Sequence, residues 1–205
     1  VVVDGIDQDC DGGDACFADL DGDGYRDMTG ATVLSEDDDC DDPGEATMSD
    51  PATDCDDTDA GIYPGAFDSA ADGIDGDCDG FENCRVDADG DGHADMTGIT
   101  MASSSLDCSE EGVAPIGSPV DDCDDSDATV HPGATEAIAD GTDQDCDGTE
   151  LCYMDADSDG ARSSDGATIV SDDIECDGPG EAGGAASVDC DDSDGSVHPA
   201  ATETP

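Results

Sequence analysis

Cysteine recurs in this chain at a fixed interval of 68 residues, with a contraction of one residue before the last cysteine. The three sets are Cys10, Cys16, Cys40 and Cys55; Cys78, Cys84, Cys108 and Cys123; and Cys146, Cys152, Cys176 and Cys190. A fixed period of this kind is typical of repeat proteins, in which each repeat is one structural unit. We therefore predict three repeats in one continuous array, covering residues 1–68, 69–136 and 137–205.

The charge of the chain excludes several classes of partner. It contains 59 acidic residues, three arginines and no lysine, which gives a formal net charge of −56. Such a chain repels nucleic acid and anionic membranes, and it has no apolar run long enough to insert into a bilayer. Aromatic residues make up 3% of the chain and tryptophan is absent, so we expect a minimal hydrophobic core. Bound cations and disulfides are the alternatives that stabilise such small units.

A short acidic loop, here called the first loop, opens each copy with the pattern Asp-x-Asp-Cys-Asp-Gly. Its aspartates are Asp7, Asp9 and Asp11; Asp75, Asp77 and Asp79; and Asp143, Asp145 and Asp147. Alternating aspartates can converge on one ion, and glycine at the sixth position permits the sharp turn that brings them together. The pattern therefore predicts a calcium-binding loop in every copy.

A second loop begins a few residues further along, with the pattern Asp-x-Asp-x-Asp-Gly. Its aspartates are Asp19, Asp21, Asp23 and Asp27; Asp87, Asp89, Asp91 and Asp95; and Asp155, Asp157 and Asp159. Position seven varies as Tyr25, His93 or Ala161, as expected where the backbone carbonyl is the ligand. Position nine is Ser163 in the third copy, and glycine replaces the acid of position twelve. We therefore predict calcium loops that are not complete EF-hands.

A third acidic segment surrounds the fourth cysteine of each copy. Its candidate ligands are Asp57 and Asp59; Asp125, Asp127 and Glu136; and Asp192, Asp194 and Glu203. Counted from the second of the paired aspartates, position twelve is Asp68, Glu136 or Glu203, but position six is branched and not glycine. We expect metal binding here without EF-hand geometry.

Short β-prone runs lie between the second loop and the third cysteine of each copy, at residues 31–34, 99–101 and 167–170. Their branched side chains favour strands. We predict one short strand or hairpin per repeat, with loop elsewhere. The predicted fold is a mostly irregular, loop-rich tandem repeat, of solenoid or rod-like form, with short β-strands, a minimal hydrophobic core, and stabilisation by calcium and disulfides.

Two schemes of disulfide pairing fit the cysteine spacing. One joins Cys10 to Cys16 and Cys40 to Cys55, and likewise in later copies. The other closes loops of about 24 residues, each worth about 3 kcal/mol in the loop-entropy model. Its bridges are Cys16–Cys40, Cys84–Cys108, Cys152–Cys176, Cys55–Cys78 and Cys123–Cys146. We favour the second scheme, because each of its bridges would enclose a metal-loop segment.

The second scheme leaves Cys10 and Cys190 without partners within the chain. By the period of the repeat, the partner of Cys190 is the cysteine of the next first loop. That cysteine is Cys10 of a neighbouring copy if the chains assemble head to tail, and a heterologous contact of this kind forms filaments. A longer covalent array would give the same geometry.

The histidines do not form a set of transition-metal ligands. His131 and His198 align with Tyr63 of the first copy, and His93 aligns with Ala161 of the third. We expect no ligand at a position that holds tyrosine or alanine in a sister repeat. Neither does any cysteine or serine stand apart from the repeat pattern as a nucleophile, so we expect no enzymatic activity.

One family resembles this chain at these residues. The segment from Asp122 to Glu136, followed by Asp140 to Gly148 and Cys152 to Gly160, resembles the metal-binding repeats of bacterial surface proteins of the MopE type. The second loops also look like the aspartate loops of thrombospondin type 3 repeats. The resemblance implies secreted or surface-displayed, calcium-rich, disulfide-linked repeats. The family name carries an association with copper, but the matched positions contain no set of copper ligands.

The sequence as a whole predicts an extracellular, calcium-binding structural protein. Ligands that are all oxygen select Ca²⁺ over softer metals, and we expect about three ions per repeat. The predicted role is a building block of a disulfide-linked fibre or surface appendage, secreted or on the cell surface. Two alternatives remain open: a calcium store or mineral-nucleating acidic surface, and the stalk of an adhesin.

Overall fold

The computed structural model describes residues 10, 12–37 and 39–203. These residues contain ten short β-strands and no helix, and most of them lie in turns and loops. The strands are β1 (Ala15–Asp19), β2 (Thr32–Leu34), β3 (Gly44–Ala46), β4 (Glu82–Arg85), β5 (Ala94–Asp95), β6 (Thr100–Ser103), β7 (Val120–Asp122), β8 (Glu150–Met154), β9 (Thr168–Ser171) and β10 (Glu181–Ala182). The described residues contain no helix that is long and apolar enough to cross a membrane.

The chain divides into two compact units. The first comprises Val1–Val86 with Thr100–Gly117. It contains an antiparallel sheet of order β2-β1-β3 and an antiparallel pair, β4 with β6. The strand at the centre of the larger sheet leads directly into a second loop, so this sheet fixes where that loop begins.

The second unit comprises Asp87–Ile99 with Ser118–Pro205. It contains an antiparallel sheet of order β10-β8-β9 and a parallel pair, β5 with β7. The parallel pair matters for the site, because it aligns the last residues of a second loop with the residues just before a fourth cysteine. The boundaries predicted at residues 68 and 136 stay a prediction.

Polar groups and disulfides fill the interior where apolar side chains would normally pack. Among the described residues, the largest fully buried side chains are Glu82 and Glu150, followed by aspartates and half-cystines. The buried apolar residues are mainly cysteine and alanine, with Val113 and Val130. The predicted loop-rich repeat with short strands and a minimal core is therefore confirmed.

The disulfides follow the second of the two pairing schemes, which is therefore confirmed. The bridges are Cys16–Cys40, Cys55–Cys78, Cys84–Cys108, Cys123–Cys146 and Cys152–Cys176. They span 23 or 24 residues each, so every bridge closes a loop of similar size. Cys190 is exposed and free, and Cys10 is exposed.

The β-prone runs form strands as predicted, at β2, β6 and β9. Each of these strands pairs with an earlier one, β1, β4 or β8. The prediction of one strand or hairpin per repeat, with loop elsewhere, was wrong, because the described residues of each copy contain three or four strands. In β4 the side chains alternate, with Glu82 and Cys84 buried and their neighbours half-buried. A carboxylate and a half-cystine thus take the place of the apolar residues on the inner face. A search for alternating apolar residues does not find such a strand.

Candidate metal sites

The backbone of each second loop is organised by its first aspartate. In the first copy, Asp19 Oδ1 accepts a hydrogen bond from the N–H of Gly22 at 2.8 Å, and Oδ2 accepts one from the N–H of Gly24 at 3.2 Å. Asp87 makes the corresponding bonds to Gly90 and Gly92. In the third copy, Asp155 accepts bonds from the N–H groups of Asp159 and Gly160. Gly24 has a φ of 94°, a left-handed conformation that glycine adopts without strain. This turn is the reason for glycine at position six.

The described first loops have the same construction. Asp75 Oδ2 accepts a hydrogen bond from the N–H of Gly80 at 2.9 Å, and Asp143 does the same for Gly148 at 2.8 Å. Position four is a half-cystine in the left-handed region, with a φ of 55° at Cys78. Each of these disulfides is thus anchored inside a metal-type loop. The two loop types predicted from spacing therefore share one local conformation.

The aspartates at positions three and five of each second loop leave at least one carboxylate oxygen without a hydrogen-bond partner. In the first copy, Asp21 Oδ1 accepts a hydrogen bond from the N–H of Asp23, and Asp23 Oδ1 accepts one from the N–H of Tyr25 at 2.8 Å. The Oδ2 atoms of both residues are buried and have no hydrogen-bond partner. Asp89, Asp91 and Asp159 repeat this arrangement, and both oxygens of Asp157 are buried without a partner.

A residue from outside the loop completes each second-loop site. Asp54, Asp122 and Asp189 are each 1% exposed, and the Oδ2 atom of each is buried without a hydrogen-bond partner. In the second copy, one carboxylate oxygen from each of Asp89, Asp91 and Asp122 lies within 4.8 Å of the other two. That separation is what two oxygen ligands of a single Ca²⁺ ion can have, since Ca–O distances are about 2.3–2.6 Å.

The residue at this position was missed among the candidate ligands. It reaches the loop through backbone pairing of the third segment with the residues after the second loop. The N–H of Met28 donates to the carbonyl of Asp54 at 2.9 Å, and Met96 does the same to Asp122 at 2.8 Å. The available signal was the acid directly before the fourth cysteine in all three copies.

The third acidic segment contacts the second loop of its own copy through the second of its paired aspartates. Asp57 Oδ1 accepts a hydrogen bond from the N–H of Leu20 at 2.9 Å. Asp125 and Asp192 accept the equivalent bonds from Ala88 and Ala156. Asp57 Oδ2 is buried without a partner.

The end of the third segment serves the following first loop. Asp68 Oδ1 accepts a hydrogen bond from the N–H of Gly76 at 3.1 Å, and Glu136 Oε1 accepts one from the N–H of Asp145 at 2.9 Å. One oxygen from each of Glu136, Asp143 and Asp145 lies within 4.8 Å of the others. The predicted twelfth-position acid thus joins the loop of the next repeat.

The remaining predicted ligands take other positions. Asp59, Asp127 and Asp194 are exposed, and each accepts a hydrogen bond from a backbone N–H two residues later in a local turn. Asp27 and Asp95 likewise accept bonds from Thr29 and Thr97. Glu203 is exposed. Asp7, Asp9 and Asp11 lie outside the described residues.

Burial and mutual repulsion raise the carboxylate pKa values at these sites. Loss of solvent raises the pKa of Asp54 to about 6, with the charges of Asp23, Asp21 and Asp57 adding to the effect. Burial is also the main cause of the raised pKa values of Asp21, Asp57, Asp89, Asp122, Asp125, Asp157 and Glu136. A bound cation stabilises the charged carboxylate and opposes these upward shifts, so these residues fit a metal site.

The few cationic side chains leave these carboxylates unneutralised. Arg26 lies over the ring of Phe17 at 4.0 Å, and Arg162 lies over Tyr153 at 4.3 Å. Within the described residues, the ion pair that the structure shows joins His93 Nδ1 to Asp121 at 2.7 Å. This bond raises the pKa of His93.

Stacked rings flank the second loops of two copies. Tyr25 stacks on Tyr63 with ring centroids 5.5 Å apart, and His93 stacks on His131 with centroids 5.0 Å apart. Tyrosine and histidine therefore occupy the same two positions in different copies and make the same contact. The shared stacking explains their exchange without assigning either a role as a ligand.

Two buried glutamates hold the strand that precedes the second loop. Glu150 accepts hydrogen bonds from the N–H groups of Ala139 and Gly141, both at 3.1 Å. Glu82 accepts one from Ala71 at 2.8 Å. These carboxylates satisfy backbone donors in a unit that has few strand partners.

The described geometry defines a disulfide-linked, metal-binding tandem repeat whose sites are composed of carboxylate oxygens. Comparison with known families agrees: four stretches match Cu-binding_MopE, whose description is "Putative metal-binding motif", at residues 1–15, 54–83, 122–150 and 189–205. The motif thus matches the chain in four stretches, of which the first and last are about half as long as the others, and the resemblance found in the sequence is confirmed. Neither the curated proteins nor the solved structures contain a match.

The two longer stretches, 54–83 and 122–150, each combine a third acidic segment with the first loop that follows it. That is the same pairing that the structure makes between Glu136 and the loop of residues 143–148. The second loops, at 19–27, 87–95 and 155–163, lie between the matched stretches. The second loops are linked to these stretches by Asp54, Asp122 and Asp189, by the second aspartate of the pair after each of them, and by the stacked rings of Tyr63 and His131.

Proposed function

We propose that this protein is an extracellular calcium-binding structural protein, whose repeats are held in shape by bound Ca²⁺ and disulfides. The observation that carries the proposal is the set of buried carboxylate oxygens without hydrogen-bond partners in the second loops of all three copies. An unpartnered buried carboxylate is strongly destabilising, and a bound cation compensates for it directly.

The ligand chemistry favours calcium over other metals. The converging atoms are carboxylate oxygens, and the varied residue at position seven of each second loop can supply a backbone carbonyl oxygen. Softer metals prefer thiolate and imidazole ligands. Ten cysteines are consumed by disulfides, and His93 is engaged with Asp121 and His131. Oxygen is therefore the donor that the sites offer.

Calcium would serve the fold itself. Each second-loop site draws ligands from segments about 30 residues apart, and the apolar core is too small to hold those segments together. In such proteins the free energy of metal binding becomes free energy of folding. Disulfides reduce the conformational entropy of the unfolded chain, and the bound ion would stabilise the folded chain. Five disulfides fit an oxidising setting outside the cytosol, which supports secretion.

Chelation of the full chain, with disulfides intact, tests this proposal. We expect excess EDTA at neutral pH to abolish the cooperative thermal transition seen by circular dichroism, and added Ca²⁺ to restore it. A reduced sample measured in Ca²⁺ separates the contribution of the bridges from that of the ion. If EDTA leaves the transition unchanged while the protein still takes up Ca²⁺ weakly, the alternative of a calcium store or mineral-nucleating surface is favoured.

We also propose that copies of this chain assemble head to tail, as a fibre or surface appendage. The support comes from the surface around Cys190, where a cavity of about 440 Å³ is lined by Cys190, His198 and Glu203. The equivalent surface of the second copy is covered by the first loop of residues 143–148. There the backbone carbonyl of Gln144 accepts a hydrogen bond from the N–H of His131, and Cys146 forms a disulfide with Cys123.

The occupant that this surface fits is therefore a loop of the sequence Asp-x-Asp-Cys-Asp-Gly. Residues 7–12 of another copy have this sequence, as would a further repeat. The Cys190–Cys10 bond stays a prediction, because most of that loop lies outside the described residues.

Mass analysis under non-reducing and reducing conditions tests the assembly. In Ca²⁺ and mild oxidant, we expect Cys190 to form a disulfide with the fourth residue of a first loop, identified by peptide mapping. The Cys190→Ser variant should lose the covalent oligomers and retain the five intrachain bridges. Monomers alone for the unaltered protein in sedimentation, at every Ca²⁺ concentration, would contradict the assembly but not calcium binding.

A further inference from the structure

The carboxylates around the second loop of the middle copy fall into two groups that share one residue. Asp89, Asp91 and Asp122 form one group, and Asp87, Asp89 and Asp125 form the other. Within each group, one oxygen from every residue lies within 4.8 Å of the others. Asp89 belongs to both groups, so its side chain lies between two places where a cation fits.

Buried oxygens without partners support the first of these places. Asp122 is 1% exposed, and its Oδ2 atom accepts no hydrogen bond. The Oδ2 atoms of Asp89 and Asp91 are likewise buried and unpartnered. Three such atoms on three neighbouring side chains are explained by one shared cation.

The second place has its own support. Asp125 is held there by the N–H of Ala88 at 2.7 Å, and Asp87 is 4% exposed. In the first copy, the counterpart of Asp125 is Asp57, which is 8% exposed and has a buried Oδ2 atom without a partner.

Charge balance argues for more than one divalent ion. The five carboxylates of the two groups carry five negative charges, and a single Ca²⁺ would leave three of them. Two like charges about 4 Å apart repel by about 4 kcal/mol at an effective dielectric constant of 20. A second divalent ion reduces the net charge of the cluster to −1.

We propose that the second loop at residues 87–95 holds two divalent cations bridged by Asp89, one with Asp91 and Asp122 and the other with Asp87 and Asp125. This inference rests on the proposed function, namely that the second loops bind Ca²⁺. It adds a binuclear centre at a loop that lies between the stretches matched by the motif family.

Native mass spectrometry of the full, oxidised chain with Ca²⁺ tests the proposal by counting ions. Relative to the unaltered protein, Asp122→Asn and Asp125→Asn should each lose one ion, and Asp89→Asn should lose two. Asp127→Asn, at an exposed turn in the same segment, is the matched control and should lose none.

The outcomes separate the two proposals. Loss of one ion from each of the three site variants would overturn the binuclear centre and leave calcium binding intact. Loss of none would overturn calcium binding at this loop altogether. Because a variant can fail to fold, a crystal structure of the unaltered protein with Mn²⁺ gives an independent count. Two anomalous peaks, one beside Asp122 and one beside Asp125, are expected; one peak overturns the proposal.

Discussion

The carboxylate of Asp57 accepts a hydrogen bond from the backbone N–H of Leu20, 37 residues earlier in the chain, at 2.9 Å. The same bond joins Asp125 to Ala88 at 2.7 Å and Asp192 to Ala156 at 3.0 Å. Position two of a second loop, which carries no ligand, thus positions an acid from the third segment against that loop. The carboxylates around each second loop therefore come from two segments, which are brought together by the tertiary structure.

Replacing Asp54 with asparagine should weaken calcium-dependent folding. Asp54 is 1% exposed and presents an unpartnered oxygen to the second loop of the first copy. The amide keeps the shape but removes one charge, so we expect the Ca²⁺ concentration at the midpoint of refolding to rise about tenfold or more, equivalent to about 1.4 kcal/mol. This midpoint is measured by titrating Ca²⁺ into the calcium-free protein and monitoring refolding by circular dichroism. Asp59→Asn, at an exposed turn, should leave the midpoint unchanged.

The metal-free protein should lose stability as the pH rises from about 4 to about 6. The pKa of Asp54 rises from 3.8 to about 6 on folding, so the folded state binds this proton more tightly than the unfolded state. The resulting stabilisation is complete below the unfolded pKa and disappears as the pH passes the folded one. In Ca²⁺ the sign reverses, because protons compete with the ion. Thermal unfolding measured across this pH range, in ion-free buffer and in Ca²⁺, checks both pH dependences. The same pH dependence of stability in the two buffers would contradict the placement of Asp54 at a metal site.

Removing the Cys55–Cys78 bridge by a double substitution to serine should destabilise the protein by about 3 kcal/mol, the loop-entropy value for a loop of this length. The bridge ties the third segment to position four of the next first loop, so its loss also frees that loop. Urea unfolding in Ca²⁺ gives the difference. Cys190→Ser removes an exposed free thiol and serves as the control, with no change expected in the stability of the single chain.

Gly92→Ala should destabilise the protein by about 1–2 kcal/mol, because Gly92 has a φ of 98° and alanine is strained in that conformation. The added Cβ would meet no atom within 4 Å, so the backbone alone accounts for the effect. Gly183→Ala is the matched control, since that glycine has open space and no left-handed φ. Urea unfolding of both variants in Ca²⁺ provides the comparison. Equal stabilities would show that position six does not need glycine.

Features set by neighbours in sequence were predictable. The spacing of Asp19, Asp21 and Asp23 with Gly24 predicted one tight loop, and the bonds from these carboxylates to backbone N–H groups five residues away or fewer form it. The disulfide scheme was predicted because each of its bridges encloses a metal-loop segment. Strand β4 was not predictable in the same way, because its inner face carries Glu82 and Cys84 in place of apolar residues.

The sequence by itself determined the repeat, the conformation of the loops and the oxygen-only chemistry of the ligands, because all three depend on residue type and local spacing. Tertiary structure alone decided which acids share a site. Backbone pairing beyond the second loop buries Asp54, Asp122 and Asp189 against that loop, while Glu136 passes to the loop of the next repeat. Spacing along the chain cannot show this, since these acids meet the loops only through contacts between segments distant in sequence.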